Sequence, residues 1–277
     1  MAQATTTWGI GDYPQMALSL EPVASRAVGV GAIGPGVRVL DVATGTGNAA
    51  LRAAQAGAVV TAVDIEPVLI EIAQQRARLA GVDIQWLLGD LGQLPVPDAS
   101  ADVVLSIFGV MYAVDHVAAA CELARVTAPS GRVVLASWQP GSFMSAMGQV
   151  LGNFLPPPPP SSGPPSLWGD ADALRNIFQE TDLQIEGTVS GQVTLTFTDA
   201  KAGASFLIDT AGHVLSERDT LMGLGTWEDL QTALAELVTE RAEANDHGIE
   251  VRLSYLMATL SKPPRCTSKA DSGVGLA

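Results

Sequence analysis

The chain has 277 residues, 47% hydrophobic and 16% charged, so it can bury a sizeable core and is neither disordered nor coiled-coil in composition. Its 15 basic and 29 acidic residues give a net charge of −14, which argues against binding to nucleic-acid phosphates or to an anionic membrane. The two cysteines have no disulfide or metal-site spacing, so we predict no metal. We interpret Cys121, in an apolar helical stretch, as a small core residue.

The N-terminus lacks the basic segment and apolar run of a signal peptide. No stretch reaches the ~18 uninterrupted apolar residues that a membrane span needs. We therefore expect a soluble, cytoplasmic protein, a monomer or a homodimer, with neither a membrane nor a nucleic acid as partner.

Residues 1–30 are predicted to form an N-terminal segment and a helix (14–30) that cover the site, and Trp8 in this segment either tucks the terminus onto the body or closes over a ligand. In residues 31–140, apolar strands alternate with helices, as in an open parallel sheet covered on both faces. The predicted strands are residues 37–42, 58–64, 83–88, 101–108 and 131–138. Right-handed crossovers bring the carboxyl ends of the first four to one edge.

After residue 140 the regular alternation lapses. Residues 141–182 are predicted to be a helical, proline-rich insertion, and we interpret prolines 156–160 as a surface spacer rather than a partner-binding ligand. Residues 183–262 complete the sheet and add cap helices, and residues 263–277 are predicted to be disordered. Within the third region we predict one bent strand or a hairpin at 183–198, helices at 200–210 and 227–245, and a last strand at 250–260.

The most informative stretch is VRVLDVATGTGNAA, residues 37–50, which predicts a buried strand, a tight glycine-rich turn and a helix start. No lysine followed by Ser/Thr comes after the turn, so it is not a triphosphate-binding loop. Ala50 stands where the dinucleotide fingerprint has its third glycine, which counts against an NAD(P)-dependent oxidoreductase. Alanine is sometimes allowed at that position, so the oxidoreductase stays an alternative. Asp41, directly before the turn, would repel a pyrophosphate and suits an ammonium or sulfonium group.

Acidic residues end or follow the first three predicted strands: Asp41, Asp64 and Asp90. An acid at the position of Asp64 can accept both hydrogen bonds of a ribose diol. Asp90 can accept from an adenine amino group. Each alone could be a turn or cap residue, but together they predict one crevice for a positively charged ligand that carries adenosine.

These motifs resemble those of the class I S-adenosylmethionine (SAM)-dependent methyltransferases, in their type 11-like small-molecule branch. VLDVATGTG is similar to the glycine-rich motif of that family, VDIEP to its acidic motif and GDL to its adenine-contact loop; WGIGDYP, SIFGVMYAVDH and GRVVLASW resemble further motifs. The resemblance covers roughly residues 8–140. It implies a Rossmann-like, doubly wound, seven-stranded α/β sheet of order 3-2-1-4-5-7-6 with the last strand antiparallel and a helical cap. It also implies SAM as cofactor, contacted by Asp41, Ala43, Gly45, Gly47, Asp64, Ile65, Asp90, Leu91 and Ser106.

The resemblance also narrows the activity. Phe108-Gly109-Val110-Met111 stands where methylases of nucleic-acid and protein amino groups carry Asn/Asp-Pro-Pro-Tyr. We therefore expect methyl transfer to O, C or N of a small-molecule acceptor, in secondary or quinone metabolism. The alternatives are the oxidoreductase and a protein of the same fold, such as a binding subunit or a cyclase, that transfers no methyl group.

Three histidines are available, and His213 is the best candidate for a catalytic base because its region should cover the pocket. Tyr13 is expected to contact the carboxylate end of the cofactor or the substrate. An apolar wall would favour an aromatic, polyketide or terpenoid-like acceptor. The residues predicted to line the acceptor site are Met111, Tyr112, Phe143, Met144 and Met147.

Overall fold

The computed structural model describes residues 7–157 and 163–264. Its strands are β1 (Arg38–Val42), β2 (Val59–Asp64), β3 (Gln85–Leu88), β4 (Ala101–Ile107), β5 (Thr127–Trp138), β6 (Gln184–Phe197), β7 (Glu243–Asn245) and β8 (Gly248–Ser261). Its α-helices are α1 (Tyr13–Val30), α2 (Asn48–Gln55), α3 (Pro67–Ala80), α4 (His116–Val126), α5 (Phe143–Leu151), α6 (Ala171–Ile177), α7 (Ala200–Asp209), α8 (Gly212–Ser216), α9 (Arg218–Leu224) and α10 (Trp227–Arg241). Most of the predicted proline spacer and of the 263–277 tail lies outside the described residues.

The sheet has the order β3-β2-β1-β4-β5-β8-β6. Strands β1 to β5 are parallel, and β8 is antiparallel to both of its long neighbours, β5 and β6. Because β8 is the last strand in the chain, this arrangement confirms the predicted Rossmann-like topology with an antiparallel final strand.

One detail of the sheet differs from the sequence-based expectation, and another is decided by the structure. Glu243–Asn245, predicted as the end of a helix, is an eighth short strand that pairs with β8. The helix ends at Arg241, and residues 243–245 pair with β8 through a tight turn in which Asn245 Oδ1 accepts from the His247 N–H and Gly248 has a φ of +135°. Of the two alternatives predicted for residues 183–198, the structure has the single strand: β6 continues through Gly191, whose missing side chain makes room for the Tyr255 ring, and its register shifts between Ile185 and Gly187.

The parallel register brings the carboxyl ends of β1, β2 and β4 together. Asp41 is level with Ala62 on one side and with Leu105 on the other. Helix α1 packs against α2 and the sheet, and α10 packs against α7 and α5. This packing leaves the N-terminal segment and the helices after β5 and β6 beside the edge where the strands end.

The interior is a large apolar cluster drawn from the sheet and its covering helices. One expectation about it was wrong, because Cys121 is exposed. Helix α4 buries Ala119, Ala120, Leu123 and Ala124, so Cys121 falls on its outward face. The apolar character of the segment comes from small alanines and does not mark every position as buried.

Candidate active site

A cavity of about 440 Å³ opens at the carboxyl edge of the strands. Its walls are mainly apolar and aromatic, with a few polar groups, as is usual for a small-molecule site. The sequence-predicted site residues that line it are Tyr13, Ala43, Gly45, Asp64, Ile65, Asp90, Leu91, Tyr112, Met144, Met147 and His213. The fold therefore gathers predicted cofactor residues and predicted acceptor residues around one space.

The glycine-rich turn forms one wall of the cavity. Gly45 has a φ of +56°, and a Cβ on it would lie 3.2 Å from the Tyr13 ring. Gly109, after β4, sits against the turn so closely that a Cβ would lie 2.5 Å from the Ala43 Cβ. Glycine at these two positions lets backbone from two strand ends line the cavity without side chains filling it.

Asp64, at the end of β2, is buried and faces the cavity. One carboxylate oxygen accepts from the Gly45 N–H at 2.6 Å and the other from the Glu66 N–H at 2.9 Å. Burial raises the pKa of Asp64, and these backbone donors oppose that rise. Each carboxylate oxygen can accept more than one hydrogen bond, so Asp64 holds the turn and retains acceptor capacity toward the cavity.

The loop after β3 supplies the next wall. Asp90 is exposed toward the cavity and accepts from the Gly92 N–H at 2.7 Å, which fixes the loop in a tight turn. Leu91 and Ile65 line the same region. Asp64 and Asp90 thus meet at one end of the cavity, as their positions at neighbouring strand ends predict.

Asp41 serves the turn instead of facing the main cavity. It is 2% exposed and accepts from the Thr44 hydroxyl at 2.6 Å and from the Ala50 N–H at 2.9 Å. Burial raises the pKa of Asp41 to about 7. It lines a small adjoining hollow that shares Tyr13, Leu20 and Ala43 with the main cavity.

Two other predicted cofactor residues are absent from the described lining. Gly47, with a φ of +83°, packs α2 against the Trp86 ring and Ala73. Ser106 is fully buried, donates to the Val42 carbonyl and accepts from the Val110 N–H, both at 2.9 Å. Their observed contacts support the cavity walls from behind, and their contact with a cofactor stays a prediction.

Two of the predicted acceptor residues also face elsewhere. Met111 and Phe143 are buried in the apolar core and do not line the cavity. On α5, Met144 and Met147 lie three residues apart and share the face toward the cavity, since positions three apart are neighbours on a helix. Phe143, one residue before Met144, points into the apolar core instead.

The N-terminal segment closes one side of the cavity. Trp8 lines it and makes edge contacts with the rings of Tyr13 and Tyr112, at centroid distances of 6.1 and 4.8 Å. The Gly9 N–H donates to Glu66 at 3.2 Å, and the Asp12 N–H donates to the Asp209 carbonyl at 2.7 Å. The segment is therefore bound both to the loop after β2 and to the end of α7, and Trp8 faces the cavity.

Aromatic side chains that the sequence analysis did not assign to the site form the opposite wall. Phe108 and Trp138 line the cavity with stacked rings, 3.8 Å between centroids. Their positions at the carboxyl ends of β4 and β5 are a signal that could have found them. Leu207 and Thr210 of the cap also line it, and no local motif marks them.

His213 stands at the rim of the cavity, in α8. The surrounding protein disfavours the charged imidazolium by desolvation and lowers the pKa of His213 below its ordinary value. Burial raises the pKa of Tyr13 far above its ordinary value, with smaller contributions from Tyr112, Asp64 and Asp41. Both tyrosine and histidine therefore face the cavity as neutral groups at neutral pH.

Within residues 7–157 and 163–264, no group of three or more His, Cys, Asp or Glu is arranged to hold a metal ion. Among the helices of the same residues, none has the length and apolar character needed to cross a membrane.

A family model described as a methyltransferase domain matches residues 40–135, which hold the glycine-rich turn, Asp64 and Asp90. The uncharacterised proteins Rv1405c and Rv1403c of Mycobacterium tuberculosis (strain ATCC 25618 / H37Rv) are 40% and 37% identical over 163 and 183 residues. These matches span 58% and 65% of this chain and 60% and 67% of the relatives. A malonyl-(acyl-carrier protein) O-methyltransferase of Serratia marcescens is 36% identical over 132 residues, 48% of this chain and 50% of its own.

Solved structures share the fold at low identity. A geranyl diphosphate methyltransferase in complex with SAM superposes with a TM-score of 0.54 at 15% identity, covering 87% of this chain and 85% of its own. The cyclase SpnF superposes with a TM-score of 0.55 at 18% identity, covering 88% and 81%. The motifs, the strand order and these likenesses agree: the chain belongs to the class I SAM-dependent methyltransferase family.

Proposed function

We propose that this protein transfers the methyl group of SAM to an O, C or N atom of a small-molecule acceptor, in secondary or quinone metabolism. The observation that carries the proposal is that Asp64 and Asp90 line one cavity together with the Gly45 turn, while the remaining walls are apolar and aromatic.

The residues at this end of the cavity fit SAM. A Cβ at Gly45 or Gly109 would intrude on the Tyr13 ring or on Ala43, so the backbone forms a cradle that side chains would fill. In this proposal Asp64 accepts from the ribose diol and Asp90 from the adenine amino group, which is supported by their shared place in the cavity lining. The Tyr13 hydroxyl, kept protonated by its raised pKa, is a donor for the carboxylate of the methionine part.

Bound SAM supplies a methyl group already activated by its positive sulfur. The protein then has to hold the acceptor in line with that methyl group and exclude water. Trp8, Met144, Met147 and Leu207 enclose the space for the acceptor. When the acceptor atom carries a proton, neutral His213 at the rim is the group in the described lining best suited to remove it.

Calorimetric titration with S-adenosylhomocysteine (SAH) and with NAD⁺ tests the cofactor. We expect SAH to bind and to raise the melting temperature, because binding to the folded state alone stabilises it. Stabilisation by NAD⁺ without any by SAH would contradict the proposal and favour the oxidoreductase.

Incubation with methyl-labelled SAM and a panel of phenols, quinols and amines tests the transfer. We expect label in at least one acceptor, and none when the acceptor is omitted. SAH binding without transfer to any acceptor would contradict the proposed transfer and favour a protein of this fold with another activity. SpnF, which is named a cyclase, is an example of such an activity on a similar fold.

A further inference from the structure

The charge and shape of the cavity limit which acceptors it can hold. We propose that the acceptor is an uncharged aromatic molecule, and that this site rejects acceptors carrying a carboxylate or a phosphate. The inference rests on the proposed function and adds the chemical class of its second substrate.

The cavity offers an anion no cationic partner. No lysine or arginine is among the described residues that line it. Its two charged side chains, Asp64 and Asp90, are both acidic and belong to the end proposed to hold SAM, so neither offers an anionic acceptor a counter-charge. The neutral Tyr13 hydroxyl is the donor proposed for the SAM carboxylate. A second carboxylate, on the acceptor, would lose its hydration here and gain no compensating ion pair.

The arginines near the walls are turned to other partners. Arg26 lies behind the aromatic wall and donates to the Tyr255 hydroxyl at 3.4 Å. Arg76 donates to Glu21 at 2.7 Å and to the Thr46 carbonyl at 2.8 Å, on the far side of the glycine-rich turn. Neither guanidinium lines the cavity, and the lowered pKa of His213 keeps that side chain neutral near pH 7.

The aromatic side chains favour a flat ligand. Phe108 and Trp138 present a stacked pair with 21° between the ring planes, and Trp8 and Tyr112 make an edge contact nearby. Flat rings gain from offset-stacked and edge contacts beyond the area that they bury. Met144 and Met147 add thioethers, which also make favourable contacts with rings.

The backbone at Phe108 supports a specific role for this wall. Its φ is +60°, a conformation that is costly for a bulky side chain, yet its ring is only 5% exposed. Strained backbone of this kind persists where the surrounding structure holds a side chain in one place, and it clusters at binding sites. Here it keeps the Phe108 ring stacked on Trp138 at the cavity wall.

Three probes of similar size separate charge from aromaticity: 2-naphthol, 2-naphthoate and decahydro-2-naphthol. Each is titrated near neutral pH, with and without saturating SAH, by quenching of tryptophan fluorescence or by calorimetry. We expect the dissociation constant of 2-naphthol to be lower than that of 2-naphthoate by about tenfold or more. We also expect 2-naphthol to bind more tightly than the saturated alcohol, decahydro-2-naphthol.

Equal or tighter binding of 2-naphthoate would overturn the charge rule, and equal binding of decahydro-2-naphthol would overturn the aromatic preference. Failure of all three to bind would overturn both. The SAH titration reports separately on the proposed function. If SAH binds but 2-naphthol is not the preferred probe, only the inference about the acceptor is contradicted.

A charge placed on the wall sharpens the test. Met144→Arg should move the preference toward 2-naphthoate, since it supplies the missing cation. Leu18→Arg adds the same charge on an exposed part of α1 outside the cavity and should leave the preference unchanged. Circular dichroism and SAH affinity check that both variants fold. An equal shift in the two variants would show that net charge, and not the site, sets the preference.

Discussion

The two ends of the cavity are built in different ways. The end that we propose for the cofactor, here called the cofactor end, consists of turns that directly follow β1, β2, β3 and β4. The backbone itself makes many of its contacts: Asp64 accepts from Gly45, and Gly109 packs on Ala43. The acceptor end consists of side chains from the N-terminal segment, α5, α7 and α8, together with the stacked rings of Phe108 and Trp138 at the ends of β4 and β5. Backbone turns tie the first end to the topology of the sheet, whereas the second end can change residue by residue.

This difference explains where the matched domain stops. The family model covers residues 40–135, which include the cofactor end, and ends before Met144, Leu207 and His213. Loops and caps supported by a rigid scaffold are where binding specificity commonly resides. Family membership therefore accounts for one end of the cavity, and the other has to be tested in this chain.

The strongest test of the distinction is Gly109→Ala, where backbone that follows β4 meets backbone that follows β1. The added Cβ would lie 2.5 Å from the Ala43 Cβ and 2.8 Å from its carbonyl oxygen, so the glycine-rich turn must shift. We expect SAH affinity to fall by about 10²-fold or more, since the turn forms the cofactor wall. Gly34→Ala, where a Cβ meets nothing within 4 Å, is the matched control for calorimetry. Equal affinities in the two variants would contradict the description of the turn.

At the acceptor end, His213→Gln should lower the rate of methyl transfer to a phenolic acceptor on the order of 10²-fold while leaving SAH affinity unchanged. Because desolvation lowers the pKa of His213, the wild-type rate should hold at neutral pH and decline only below the ordinary histidine range, as the imidazole becomes protonated. His247→Gln, in the exposed turn before β8, is the control. A His213 variant with full turnover and an unchanged pH profile would exclude it as the base.

Back at the cofactor end, Asp64→Asn keeps the size of the side chain but replaces one acceptor oxygen with an NH₂ donor. We expect SAH binding to weaken by about 1–3 kcal/mol, because hydrogen-bond donors of the ligand and of the turn lose their partner. Asp83→Asn, an exposed acid before β3, controls for the change in net charge. Calorimetry measures both, and matching dissociation constants would remove Asp64 from the site.

The same contrast explains what could be predicted from the sequence. Strand ends are local features, so the positions of Asp64, Asp90 and Gly45 followed from the order of apolar runs and turns. The direction of a side chain inside a turn is not local. Asp41 and Ser106 occupy the expected positions, yet their hydrogen bonds go to the surrounding backbone and to Thr44, and neither side chain lines the main cavity.

At the acceptor end, predicting a helix correctly did not predict which of its residues face the cavity. The predicted helix around α5 exists, but only contact with the rest of the fold decides that Met144 faces the cavity and Phe143 faces the core. Leu207 and Thr210 join the site through the packing of α7, more than 60 residues after Trp138 in the printed sequence. No local sequence motif marks residues that reach the site through long-range packing. Cys121 shows in addition that lying in an apolar helical segment does not determine burial.

The smallest expected effect separates Asp41 from the acids that face the cavity. Burial raises its pKa from 3.8 to about 7, so between these values the folded state holds a proton that the unfolded state has released. Unfolding free energy should therefore fall as pH rises through this window, by about 1–2 kcal/mol between roughly pH 5.5 and pH 8.

Asp41→Asn, which cannot ionise, should lack this component, and urea unfolding of both proteins at the two pH values measures the difference. The carboxamide oxygen can still accept from Thr44 or Ala50, so the variant should fold. Asp64 is present in both proteins, and its own titration largely cancels in the comparison. The same pH dependence in both proteins would contradict this prediction. It would mean that Asp41 is already ionised in the folded state, and that the adjoining hollow is more hydrated than the burial of Asp41 implies.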